Sequence, residues 1–472
     1  MGGATLVVGL LLPMFVGISV LLAGRPGRRP LSAPGEIAWM TGAGYLAGAL
    51  LLTLWMRALS MAGIRFGIVS VGLPLAAVAA AVGYRTWRRD DNAVRDAVRG
   101  AFRDLFFPPD LQPTGRLLWR FLLGWIVLRF VLLGLEVAWQ PLYPWEAWTQ
   151  WATKARVWYE LGRLVPFAPS EAWLASDGTL YFDALPGAPP TVPLLQVWAC
   201  IALGRWDDTL MNWPWWQIAA ALAIAVYGAL RSLGMAALAA LAAAYLVASI
   251  PLLDLHVALA GYADLPMSAY YACAAIALLR WARSGNVHDA ATLGLLAFAC
   301  TQIRQPGLVW MTTLVPGIIV VLYPRVGLKL AAAALGATLL LLAVVAQTSI
   351  AILGRTWHLE FRPAWSTLYE SYLLLGNWNL LWYGVPAAVL LAGRQLASPA
   401  LAPLTIVAAA GAVFLFAIVC FPELGAAVAD GMTLNRMTLH FAPLAAVFAA
   451  LALQAFAVRW TGAGLSADAP PA

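Results

Sequence analysis

The sequence predicts an all-α polytopic membrane protein with about 13 transmembrane helices. Three observations predict it. Hydrophobic residues make up 62% of the chain and charged residues 11%, against about 45–50% and about 25% in soluble domains. The apolar residues gather in runs of about 20, the length that crosses a bilayer. Charged residues fall between those runs, so neither a soluble enzyme nor a disordered chain fits. Tryptophan is unevenly placed: 11 of 23 lie between Trp139 and Trp216, which marks that stretch as something other than a plain span.

In chain order, spans are expected near 3–23, 38–58, 66–84, 117–138, 212–230, 235–253 and 264–281, then near 288–303, 307–323, 328–353, 380–394, 399–421 and 438–459. The first lacks a positive leader and is followed by Arg25, Arg28 and Arg29. It therefore reads as an anchor with its N-terminus outside rather than a cleaved signal. Loops then placed inside hold more Lys and Arg than those placed outside, as the positive-inside rule requires. The organisation expected is an N-terminal three-helix addition (1–84), a cytoplasmic amphipathic linker (85–116), a catalytic module (117–459) with an external loop at 139–211, and a cytoplasmic tail (460–472). The net charge of +7 records this topology, and nucleic acid is not an expected partner. In the linker, Val94, Val98, Phe102 and Leu105 recur at helical spacing beside Arg95, Arg99 and Arg103. That pattern suits either an interfacial helix on anionic lipid or a solvated linker.

Cys200, Cys273, Cys300 and Cys420 sit singly, as do the four histidines, so neither a disulfide framework nor a zinc site is expected. Polar chemistry concentrates at the outer face instead, where ionisable groups are costly and tend to mark function. In Tyr143-Pro144-Trp145-Glu146-Ala147-Trp148-Thr149-Gln150-Trp151, continuing to Lys154 and Arg156, the tryptophans recur every three residues, as on a surface helix. Glu146, Gln150 and Lys154 form a row at i, i+4 on the neighbouring face. A carboxylate and an ammonium beside aromatic rings suit a sugar phosphate, although solvated charges on an aromatic-belt helix give the same pattern. The proline-rich run from Asp183 to Pro193 leads into a short apolar helix, re-entrant or interfacial by its length. Asp254 and His256 precede Gly261-Tyr262-Ala263-Asp264-Leu265-Pro266. Asp264 suits a helix cap or a second carboxylate facing Glu146 across a cavity. Arg304 and Arg436 end helices at this face, where arginine either snorkels or grips phosphate. Arg129 is mid-span and needs a partner, Glu136 on its own face or one more distant.

These residues, in this order, resemble the GT-C superfamily of membrane glycosyltransferases, which includes protein mannosyltransferases and the aminoarabinose transferase of lipid A. The resemblance covers roughly 117–459. It rests on the first-loop run at 143–156, on Gly-Tyr-Ala-Asp-Leu-Pro at 261–266, and on Asn435-Arg436-Met437-Thr438-Leu439-His440-Phe441-Ala442-Pro443 entering the last span. It implies a GT-C-like helical core and inverting transfer of a sugar from a polyprenyl-phosphate donor to a lipid, glycan or protein acceptor, at the outer face of a bacterial inner membrane. Glu146 would match the general base and Asp264 the second acidic position. Lys154, Arg304 and Arg436 would be candidates for the donor phosphate, and Tyr143, Trp148, Gln150, His256 and His440 would line the substrate site. The resemblance leaves a divalent cation open. Two departures stand out: many relatives carry Asp where this chain has Glu146, and Ala188, not an aromatic residue, precedes Pro189-Pro190.

Two other readings are a lipid-linked saccharide flippase or transporter, and a surface-polysaccharide ligase or polymerase. Transporters place charges near the midplane and repeat their halves. Here the charges gather at the outer face and no repeat is visible, with Arg129 the exception. A ligase or polymerase would rely on Arg and His in a large late external loop, whereas the longest external loop here comes early.

Overall fold

The computed structural model describes residues 2–23, 31–89, 91–346, 349–352, 355–358, 360–421 and 431–460. The arginines at 25, 28 and 29 and the tail beyond 460 lie outside the described residues. The chain divides into two compact units, one of residues 1–274 with 287–311 and one of residues 275–286 with 312–472.

The first unit begins with α1 (Gly2–Ala23), α2 (Glu36–Met61), α3 (Leu73–Arg89), α4 (Asp91–Phe106) and α5 (Pro113–Trp139). A surface stretch follows. It contains a π-helical turn at Ala147–Ala152, α6 (Thr153–Leu161), α7 (Ser170–Leu174) and a parallel pair of two-residue strands, β1 (Phe167–Ala168) and β2 (Tyr181–Phe182). Next come α8 (Thr191–Leu203), α9 (Trp213–Ser232), α10 (Ala237–Ala248), α11 (Pro251–Ala258), the first half of α12 (Asp264–Ser284), α13 (Val287–Ile303) and most of α14 (Gly307–Thr313).

Small residues let α1 and α2 cross closely. A Cβ added at Gly17 would overlap the Gly44 carbonyl and sit 2.7 Å from the Gly48 amide, the close backbone approach that a small-x-x-x-small pair allows. Helix α2 is in turn buried against α9, with Tyr45 donating to the Gln217 side chain at 3.1 Å. Helices α1 to α3 belong to the first unit, where α1 meets α8 and α2 meets α9. At the end expected inside, Arg231 of α9 binds Asp110 at 3.0 Å and reaches Asp104 at 3.9 Å. Asp110 also accepts the Ala237 amide at 2.8 Å, so one buried arginine ties the α4–α5 turn to α9 and α10.

The second unit holds the rest of α12, α15 (Val315–Leu322), α16 (Gly327–Val345), α17 (Trp365–Tyr369), α18 (Leu381–Ala392), α19 (Ala402–Cys420) and α20 (Met432–Trp460). It also holds an antiparallel hairpin of β3 (Ser349–Ile352) and β4 (Arg355–His358).

Among the described residues, eight helices are long and apolar enough to cross a membrane, as a multi-pass membrane protein requires. They are α1, α2, the run Ile68–Arg88, α5, the run Leu210–Ser232, α16, α19 and α20. Helices α10 and α11 make a ninth if counted as one span bent by 62°. Pro251 explains the bend: it lacks an amide hydrogen and holds Ile250 extended. The run expected at 328–353 stops as a helix at Val345, and Ser349–Ile352 is a strand. A short apolar run does not by itself distinguish helix from strand. Helices α8, α13 and α18 hold 13, 17 and 12 residues, short of the roughly 20 a crossing needs. Helix α12 is long enough at 21 residues, yet polar. Asp264, Ser268, Tyr270, Tyr271 and Arg280 are all buried in it, so protein rather than lipid surrounds it. Helix α5 is the opposite case, exposing Leu117, Phe121, Val131 and Leu132, an apolar surface suited to lipid. The linker helix α4 exposes Val98, Phe102, Leu105 and Phe106 as one stripe.

Candidate functional site

The two acidic residues singled out in the sequence meet in the first unit, and an arginine joins them. Glu146 follows a proline-bounded loop whose Leu142 amide donates to the Asp208 carbonyl at 3.2 Å. Asp264 is the first residue of α12 and is fully buried. Arg304 follows the last residue of α13. One guanidinium nitrogen of Arg304 pairs with Asp264, and the other lies 3.9 Å from the Glu146 carboxylate. Glu146 is therefore held electrostatically, beyond hydrogen-bond reach of that nitrogen, and its side chain keeps partial access to the surface.

Local backbone brings the loops this close. Gly261 adopts φ of +108°, a left-handed conformation, and a Cβ there would lie 2.7 Å from the Ala147 Cβ and 2.8 Å from Leu142. The next carbonyl, Tyr262, accepts the indole N–H of the buried Trp215 at 2.7 Å. His256 sits beneath the same loop, its ring 5.4 Å from that of Tyr262 and its Nδ1 2.8 Å from the Leu252 carbonyl.

The first-loop helix differs from the even row expected. Ala147–Ala152 is a π-helical turn, and its wider i→i+5 spacing shifts the phase of everything after it. The expected single tryptophan face is split. Trp145 and Trp148 are exposed and meet edge to face at 5.1 Å, whereas Trp151 and Trp158 are buried. The Glu146–Gln150–Lys154 row is split as well: Gln150 and Lys154 are buried, away from the half-exposed Glu146. Lys154 binds Asp183 at 3.1 Å and donates to the Leu185 carbonyl at 2.8 Å. Burial lowers its pKa below the usual lysine value, and Asp183 offsets part of that shift. Lys154 thereby pins the proline-rich segment that leads into α8.

Tyr143 is exposed beside a small cavity with Asn212 and Leu259. Trp148 borders an open cavity of about 320 Å³ with Arg156, Trp206 and Asp208, where Arg156 lies over the Trp206 ring at 5.0 Å. Arg129 pairs with Asp254 of α11, the more distant of its expected partners. Arg436 and His440 belong to the second unit, on α20. In that unit Ser371 bonds Asn435, and Tyr372 bonds Thr438 at 2.7 Å. Among the described residues no three His, Cys, Asp or Glu side chains gather as a metal site would need. Glu146 and Asp264 already share a guanidinium, so this donor set does not fit a divalent ion.

Sequence reasoning passed over Arg57, near the end of α2. Its guanidinium donates to Gln302 and to Thr191, each at 2.6 Å, and so ties α2 to α13 and α8. An arginine within an otherwise apolar span was the available signal. No family model matches the chain, and neither a curated protein nor a solved structure matches it.

Proposed function

We propose that the chain is a membrane glycosyltransferase that moves a sugar from a polyprenyl-phosphate donor to an acceptor hydroxyl at the outer face of the bacterial inner membrane. The observation that carries this reading is the convergence of Glu146 and Asp264, from separate loops, on Arg304. The partly exposed carboxylate of Glu146 takes the acceptor's proton as the acceptor oxygen attacks the anomeric carbon. The carbon–oxygen bond to phosphate breaks, its electron pair leaves with the phosphate, and the configuration inverts. Asp264 acts through Arg304 by fixing it, while aromatic rings such as Trp148 suit a sugar face. The sequence resemblance alone makes Arg436 a candidate for the donor phosphate and His440 a candidate for substrate binding. It also supplies the GT-C core, whereas the outside N-terminus, the cytoplasmic C-terminus and the count of thirteen crossings rest on run lengths and the positive-inside rule. Five of those crossings would use the bent, polar or short helices. Arg129, the feature that leaned toward a transporter, is matched by Asp254.

The test is transfer from labelled polyprenyl-phosphate sugars by the full chain in liposomes. Glu146→Gln is expected to lower transfer at least about 100-fold while membrane insertion and thermal stability stay unchanged. Full transfer by that variant would sink the general-base role.

A further inference from the structure

We infer that Arg57 is the principal anion-binding residue of this face and takes the phosphate of a lipid-linked ligand. The inference rests on the proposed function for the ligand's lipid tail, and on the structure for the anion site. Arg57 lies ahead of the stretch that carries the family resemblance, on a helix the sequence assigned to an accessory module.

Arg304 and Arg57, which meet the same end of α13, differ in what already neutralises them. Arg304 is matched by two carboxylates, so an arriving phosphate would have to compete with Asp264 and Glu146. Arg57 has only neutral acceptors, the Gln302 amide oxygen and the Thr191 hydroxyl, and among the described residues it pairs with no carboxylate. Its Nε is buried with no acceptor, so its donors are not saturated. A partly buried guanidinium facing neutral partners keeps its full charge at a desolvation cost, which a bound anion would offset. A planar fork of donors also suits phosphate oxygens.

The placement fits the chemistry proposed nearby. Gln302 is two residues before Arg304, so both guanidinium groups are anchored at one end of α13. Thr191 opens α8, a 13-residue helix whose first-turn amides add positive potential. Phosphate held by Arg57 would leave Arg304 to position the carboxylates, and the two cations would have separate tasks.

The experiment measures retention of three probes by the full chain in nanodiscs: a polyprenyl monophosphate, the uncharged polyprenol and inorganic phosphate. Wild type is expected to prefer the polyprenyl phosphate to the polyprenol. Arg57→Gln should weaken the phosphate-bearing probe about 10- to 100-fold, and Arg57→Lys less. Gln302→Glu sets a carboxylate against Arg57 in place, so it should melt no lower than wild type yet lose the same binding. Arg57-dependent retention of inorganic phosphate alone would support the anion site and name free phosphate as its source. Equal retention by wild type, R57Q and Q302E overturns the inference, as does no retention of either phosphate probe by wild type. Phosphate binding lost in R57Q, with transfer intact in E146Q, would overturn the general base and keep the anion site.

Discussion

Lys154 and Asp183 show how one buried pair can do structural work where its residue types suggest chemistry. Both side chains are almost wholly enclosed, and Asp183 also accepts the Leu185 amide at 2.6 Å. Removing one partner leaves an uncompensated buried charge, so Lys154→Met is expected to cost about 3–5 kcal/mol. Lys154→Met with Asp183→Leu should cost less than that single change, because no charge is then stranded. Melting temperatures of the purified variants in detergent check this. A double variant less stable than Lys154→Met would contradict the pairing.

At the scale of elements, the Gly261 turn sets how near α12 comes to the first-loop helix. Gly261→Ala meets both a positive φ and overlap with Ala147 and Leu142, two penalties of about 1–3 kcal/mol each. A melting point lowered accordingly is expected, with Glu146 pushed off Arg304 and transfer falling more than stability. Wild-type stability in that variant would mean the two loops are not held this close. The element scale also shows where legibility in the sequence stops. Glu146, Asp264 and Arg304 were recognisable as polar groups at helix ends, and all three converge. The burial of Lys154 against Asp183 was not legible, because the π-helical turn is invisible to a count of i, i+4 spacings. Arg57 was passed over because a single cation in an apolar run carries no local sign of what it faces.

For the molecule as a whole, the direction of the chain through the membrane is the property most open to a direct check. The four native cysteines are buried, so an introduced cysteine gives a clean signal. Thr149→Cys in the first loop should react with an impermeant thiol reagent in intact spheroplasts. Asp96→Cys on α4 should react only after lysis. The reverse pattern would overturn the orientation and, with it, the outer-face site.

The sequence by itself determined the helical, membrane-suited scaffold and the positions along the chain where acidic groups stand beside apolar runs. Composition and periodicity report the local balance between burial and solvation, and that balance decides whether a segment can lie in lipid. Tertiary structure alone decided which charges neutralise one another: Arg304 with Asp264 and Glu146, Lys154 with Asp183, Arg129 with Asp254, and Arg57 with neutral oxygens only. Charge pairing depends on distance between loops far apart in sequence and on the phase of each turn, and neither is written in any local pattern.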